Sequence, residues 1–414
     1  MIGLRNRKVF MFCQYSTVYD RWEEESSACA QISGRPGSAL SGMPLPSSPD
    51  LPAGSGTCGE TACNSSGLPV YCIVLIMLNP PAKCEASFCF PGQRRDPAFL
   101  CLVILSEEIS MLNKITIVGL GAMGILFGDL AVKNLGPDRV CFLANGDRLE
   151  RYRREGARCN GETCEFRFSD GSDGPAELLI FAVKAPDLAD AMELAAPVVD
   201  EDTVIISLLN GVTSEEILEQ TFGGDKVLYT VTQGMDAVRV GNELTYHTPG
   251  RMFLGIPQED YFDREDKVDA ALNLLQQAGL PFVREEDILH RMWCKFMLNV
   301  GVNQVCMAYE TDYGAVQEPG ELRDLMIAAM DEARKVGACQ GVLVTQKDRT
   351  EYLAVMDALH PRGIPSMRQD GLAHRRTEVD LFAGAVLEMA GRYGMQAPVN
   401  RMLYDRIKAM EASW

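Results

Sequence analysis

The run KITIVGLGAMG, residues 114–124, constrains the fold more than any other part of this 414-residue chain. A short β-branched strand, Lys114 to Val118, leads directly into Gly119-Leu120-Gly121-Ala122-Met123-Gly124, and the apolar helical pattern ILFGDLAVKNL follows until Gly136. A GxGxxG set between a strand and a helix marks a dinucleotide-binding turn. Gly119 is expected to make the tight turn, Gly121 to admit a pyrophosphate to the backbone, and Gly124 to let helix and strand pack closely, with the helix N-terminus facing the phosphates. Leu120, Ala122 and Met123 complete this cofactor-binding segment.

The pattern then repeats. Apolar strand runs at 139–144, 177–185, 203–211 and 226–234 alternate with the helical runs DLADAMELAAPVV and SEEILEQTF. Strands alternating with helices predict a parallel, doubly wound α/β sheet of Rossmann type. Two later runs, AVRVGNELTYHT and MFLGI, read as antiparallel strands that extend the sheet to about residue 283, so the dinucleotide-binding domain is assigned to 111–284. From 285 to 414 the periodicity is helical, at 288–308, 320–338, 346–359, 366–393 and 399–412, which predicts an all-helical C-terminal domain for substrate and catalysis. Residues 1–110 differ: SGRPGSALSGMPLPSSPDLPAGSG has no sustained period, and the segment is expected to be a disordered extension. One hypothesis starts translation at Met111, because the text changes abruptly there; peptides from 1–110 in a mass spectrum would contradict it. A regulatory extension is the other reading.

Charge narrows the partners. Thirty-nine Lys and Arg against 57 Asp and Glu give −18, which repels phosphate backbones and anionic lipid and leaves a small molecule as the expected partner. The longest apolar run near the start, VYCIVLIML, has nine residues, against the roughly 20 needed to span a bilayer. A cytoplasmic protein is expected, and a homodimer stays open. The 14 cysteines include no CxxC pair, and the CxxxxC spacings lack a partnering His or Cys pair, so free thiols and no metal site are expected.

Candidate chemistry lies at strand ends and on one helix. After the second strand, Asn145 fits either nicotinamide cofactor, whereas Arg148 and Arg151 favour NADP and Asp147 opposes it; NAD stays open. Lys184 ends an apolar strand and is suited to a ribose or phosphate oxygen. Asn210, before Gly211, is either a turn residue or a group reaching the nicotinamide. WCKFMLNVGVNQ places Lys295, Asn299 and Asn303 four apart, a polar line drifting only about 40° per step along an otherwise apolar helix. Ser366 and Glu378, twelve apart, are expected to share a broad helix face. Ser366 with Gln369 also reads as a capping box. The four histidines show no pairing suited to a dehydrogenase acid, so lysine is the better proton donor, provided burial lowers it from about 10.4.

In order along the chain, GLGAMG, VKA, LLNG, WCKFMLNVGVNQ, PSMRQD, RRTEVD and APVNRMLYDRIK form a set that resembles the ketopantoate reductases (2-dehydropantoate 2-reductases) from Met111 to Trp414. The resemblance implies NADPH-dependent reduction of ketopantoate to pantoate, a step toward pantothenate and coenzyme A. It implies that Lys295 is the general acid, that Glu378 binds the substrate hydroxyl and supports the acid, and that Asn299, Asn303 and Ser366 hold the substrate. Lys184 and Asn210 match the family's lysine and asparagine at strand ends. Two departures bear on substrate side chain and cofactor choice: Gln304-Val305-Cys306 follows Asn303 where the family commonly has proline and a threonine-containing segment, and Asn145 replaces a basic residue. The competing readings are a reductase of another 2-keto acid, a 3-hydroxyacid dehydrogenase of similar architecture, and a non-catalytic NADP-binding sensor. The joint presence of Lys295, Asn299, Asn303 and Glu378 speaks against the sensor.

Overall fold

The computed structural model describes residues 111–257 and 261–414; the expectations placed on residues 1–110 lie outside the described residues. The central strands are β1 (Ile115–Val118), β2 (Val140–Leu143), β6 (Leu178–Phe181) and β7 (Val204–Ser207), each four residues long. All but Thr116 of these residues are buried, as expected of parallel strands covered on both faces. Successive side chains point to opposite faces: Leu178 and Ile180 enter one core, Leu179 and Phe181 the other. The first core is closed by α1 (Ala122–Leu135) and α5 (Tyr261–Gln277), the second by α3 (Leu188–Ala195) and α4 (Ser214–Phe222). The remaining helix of this half, α2 (Gly146–Glu155), follows β2.

The main sheet runs β5 (Arg167–Ser169), β2, β1, β6, β7, β8 (Val227–Met235), β11 (Pro249–Gly255), β12 (Phe282–Arg284). Its first six strands are parallel, and their order reverses between β1 and β6, the place where ligands of such sheets bind. β11 then pairs antiparallel with β8, so the MFLGI run extends the sheet as expected.

The AVRVGNELTYHT run does not extend it. It forms β9 (Val238–Val240) and β10 (Glu243–Thr245), which join β3 (Arg158–Cys159) and β4 (Glu162–Thr163) in a separate four-stranded sheet. β9 is exposed along its length and only Leu244 of β10 is fully buried, so the hairpin lacks the two apolar faces that a place inside the main sheet requires.

The helical half begins with α6 (Ile288–Ala308), whose first turn is closed by Asp287 accepting from the His290 N–H. α7 (Gly314–Gln317), α8 (Glu321–Cys339), α9 (Gln346–Asp357), α10 (Ser366–Leu372), α11 (Ala385–Arg392) and α12 (Pro398–Glu411) follow. α6 and α8 lie close because glycine stands at two contact points. A Cβ on Gly301 would come within 2.5 Å of Met330 Cγ, and one on Gly337 within 2.8 Å of the Trp293 ring. Trp293 in turn meets Phe296 edge to face at 5.4 Å, fixing the turn that carries Lys295.

The single helix expected over 366–393 is broken. α10 ends at Leu372, and a wider turn, Asp380–Gly384, precedes α11. Ser366 and Glu378 therefore do not share a helix face. Among the described residues no helix is long and apolar enough to cross a membrane. Cys141, Cys159, Cys164, Cys294 and Cys306 are free thiols, in line with expectation.

Candidate active site

The glycine turn sits at the end of β1, against the end of β6. Gly119 has φ +109°, and a Cβ there would lie 2.6 Å from the Ala182 carbonyl oxygen. Gly121 would place one at 3.4 Å from the same oxygen, and Gly124 would place one 2.0 Å from Gly119's own carbonyl. The third glycine thus lets the helix close on the turn itself. Gly121 caps α1 without a side-chain bond, and no acid occupies the first turn, which leaves the helix N–H groups for an anion. Leu120 is buried in the core and Ala122 and Met123 pack against it, so these three offer backbone rather than side chains to a ligand.

Three residues from distant parts of the chain meet over the ends of the strands. Lys295 Nζ donates to Asn210 Oδ1 at 2.9 Å, and Asn210 Nδ2 donates to Glu378 Oε2 at 3.2 Å. Asn210 leaves the end of β7, Lys295 lies on α6, and Glu378 precedes the wide turn. Gly211, at φ +95°, lets Leu381 approach; a Cβ would stand 2.8 Å from Leu381 Cδ1. Glu378 is seated by its neighbour: Thr377 donates its N–H and its hydroxyl to Glu411 of α12, both at 2.7 Å. The glutamate itself is 7% exposed.

Burial sets the electrostatics. It pushes the Lys295 ammonium down from 10.5 to about 8, with the charges of Glu378 and Glu215 opposing the fall. Burial raises the Glu378 carboxyl, against the pull of Lys184, Asn210 and Lys295. Glu215 was missed from the sequence, where SEE reads as an ordinary acidic first turn. It is 1% exposed, accepts from Ser214 Oγ at 2.8 Å, and burial pushes it up to about 7.

Lys184 does not stand free at its strand end. Its Nζ lies 2.6 Å from Asp370 Oδ2, and Arg375 binds the other oxygen of the same carboxylate through Nε at 3.0 Å and Nη2 at 2.9 Å. Asp370 is 2% exposed, so this pair of cations joins the sheet to α10. Arg148 and Arg151 are exposed on α2. Arg239 of β9 lies near the second of them: desolvation, then the charges of Arg151 and Arg375, lower its pKa. Arg239 and Arg375 were not foreseen, because no local pattern links a hairpin and a motif about 95 to 230 positions away to the end of β2.

Asn299 and Asn303 continue the Lys295 line on α6, and among the described residues neither side chain is engaged in a hydrogen bond. Gln304 turns the other way, nine residues or about half a helical revolution from Lys295. Its Nε2 donates to Val300 O at 2.6 Å and to Asn400 Oδ1 at 3.0 Å, in a buried network with Glu332. Ser366 is exposed at the start of α10 and no hydrogen bond ties it to the cluster. The capping box is absent: the helix is capped by Pro365, and Gln369 Nε2 donates to Ile364 O instead.

Comparison with known proteins points one way. A family model described as "Ketopantoate reductase PanE/ApbA" matches residues 115–259, and its companion, "Ketopantoate reductase PanE/ApbA C terminal", matches 287–411. A 2-dehydropantoate 2-reductase of Archaeoglobus fulgidus is 28% identical over 302 residues, 72% of this chain and 98% of the relative. The fold is shared with a PanE/ApbA family ketopantoate reductase from Ralstonia eutropha, at TM-score 0.63 and 21% identity over 72% of this chain and 99% of that one. It is shared equally with D-mandelate dehydrogenase bound to NADH and anilino(oxo)acetate, at TM-score 0.64, 21% identity and the same coverage. With the paired models of one family matching the sheet and the helices in turn, the chain belongs to the ketopantoate reductase family.

Proposed function

We propose that this chain reduces 2-dehydropantoate to pantoate with NADPH as hydride donor, in the cytoplasm, as a step toward pantothenate and coenzyme A. The observation that carries the reading is the Lys295–Asn210–Glu378 chain, in which a lysine held at about 8 shares an amide with a buried carboxyl. A proton donor near neutrality is what a ketone needs as its oxygen gains charge.

The residues present fit a nicotinamide dinucleotide. Gly119 and Gly124 admit no side chain, Gly121 keeps the backbone between them bare, and the open α1 N-terminus suits a pyrophosphate. Arg148, Arg151, Arg239 and Arg375 gather positive charge toward the region after β2, which supports NADP over NAD, since a 2′-phosphate needs cationic partners. When bound, the cofactor supplies the hydride.

The chain's own groups do the rest. Lys295 Nζ gives its proton to the keto oxygen and, while charged, stabilises the developing alkoxide. Glu378 accepts from the substrate hydroxyl and holds Lys295 protonated through its charge. The unengaged amides of Asn299 and Asn303 donate to the substrate carboxylate. Ser366 is assigned there too, at the start of α10, a helix that packs on α6 where Gly371 meets Met307. Asn210 keeps Lys295 and Glu378 in register until the substrate oxygen replaces its own at Nζ.

The fold shared with D-mandelate dehydrogenase favours one second reading, reduction of a different 2-keto acid. The experiment is NADPH oxidation with 2-dehydropantoate beside a panel of other 2-keto acids, repeated with NADH. A kcat/KM higher for any other keto acid moves the assignment to that substrate, and no oxidation with any of them refutes the reductase.

A further inference from the structure

We propose that His290, Cys294 and Asp348 form a three-ligand site for a zinc-class divalent cation on the helix that carries Lys295, with water completing the coordination. His290 and Cys294 are four apart on α6 and so share a face, and Asp348 arrives from the first turn of α9. Cys294 Sγ lies 3.5 Å from His290 Nε2, which lies 3.2 Å from Asp348 Oδ2, and the three ligand atoms all fall within 4.8 Å of one another. Tetrahedral zinc, with bonds of about 2.3 Å to sulfur and about 2.0–2.2 Å to nitrogen and oxygen, sets its ligand atoms about 3.3–3.6 Å apart. The sulfur–nitrogen edge, at 3.5 Å, already has that length, and the nitrogen–oxygen edge, at 3.2 Å, is just short of it.

Two helix caps hold the ligands in place. Asp348 Oδ2 accepts from both the N–H and the hydroxyl of Thr345 at 2.7 Å, and Asp287 fixes the His290 backbone. Such outer bonds orient ligands before an ion arrives. The sulfur lies 3.9 Å from Nδ1 as well, so the imidazole must swing about its Cβ–Cγ bond to aim Nε2 between thiol and carboxylate. That torsion is soft, and the His290 side chain is 34% exposed, which leaves room for the turn and an access path for the ion. Asp287 and Glu351 add negative charge around the thiol and Arg291 offsets part of it. A thiolate with an imidazole selects zinc over magnesium or calcium.

Binding exchanges the Cys294 thiol proton for a metal–sulfur bond, the proton passes to water, and no oxidation state changes. The ion would tie the start of α9 to the turn of α6 one residue before Lys295. The test is titration of the untagged full-length protein with Co2+, read by absorption, followed by Zn2+ displacement. One equivalent is expected to give a thiolate-to-cobalt charge-transfer band with tetrahedral d–d bands, both lost to Zn2+. Cys294→Ser abolishes the charge-transfer band. His290→Gln, at a partly exposed side chain, weakens Co2+ binding at least tenfold with an unchanged circular dichroism spectrum. A band that survives both substitutions comes from another of the chain's cysteines and overturns the proposal, as does a wild-type protein with no thiolate band.

Discussion

Lys295 holds a charge where the fold disfavours it, and that makes its contribution measurable apart from catalysis. A fall from 10.5 to about 8 corresponds to about 3 kcal/mol between the folded and unfolded ammonium. Because the folded pKa is the lower one, the unfolded chain binds more protons between pH 8 and 10.5, and stability rises with pH across that window. Below the window the cost is fully present. Lys295→Met removes it, while leaving Asn210 Oδ1 without its donor gives back about 1–3 kcal/mol. The two nearly cancel at pH 7, so the pH dependence is the cleaner readout. Denaturant unfolding at pH 7 and pH 9.5 should show wild type gaining about 2 kcal/mol relative to Lys295→Met. Turnover should fall along an alkaline limb with midpoint about 8 in wild type and drop by about 10²–10⁴ in the variant. In Glu378→Gln the loss of a charge that raises Lys295 should move the limb to lower pH. A stability difference that stays constant from pH 7 to 9.5, or a Lys295→Met turnover within a few fold of wild type, refutes the reasoning.

Arg239→Ala should raise the KM for NADPH about tenfold and leave that for NADH within about twofold, because a charge-assisted phosphate bond is worth about 1.5–3 kcal/mol; equal effects in steady-state kinetics would remove Arg239 from the 2′-phosphate. Gly124→Ala places a methyl 2.0 Å from the Gly119 carbonyl and should cost about 1–3 kcal/mol by overpacking. Thermal unfolding would show it as a lowered midpoint with weakened NADPH binding, and an unchanged midpoint would mean the turn is looser than the structure shows.

The sequence carried the regular parts well because their physics is local. Four-residue buried strands, the glycine turn and the long apolar α6 are each specified by residues a few positions apart. The failures were non-local. The β9–β10 hairpin has strand-like alternation, and only the shortage of a second apolar face sends it to β3 instead of β8. The 366–393 run has helical composition throughout, but His374 takes a left-handed φ of +47°, the Arg375 N–H returns to the Asp370 carbonyl at 2.9 Å to close α10, and Thr377 is tied to Glu411, so the chain leaves the helix there. Of the site, Lys295 was legible by its register and Glu378 by its motif. Glu215 was hidden because its burial comes from tertiary packing, with the Thr230 backbone of β8 against its carboxyl.

The bonds that draw the site together join residues 85, 168 and 186 positions apart: Lys295 to Asn210, Asn210 to Glu378, Lys184 to Asp370. Helices such as α6 form from neighbours within microseconds, whereas contacts across such loops wait for both halves to be in place. Refolding should therefore restore helical and sheet signals well before activity. During synthesis the order is the same: the sheet and Lys295 are made long before Glu378 and the Glu411 that seats its neighbour. A nascent chain stays chemically silent until α12 docks, and recovered turnover counts only molecules whose last helix has found its place.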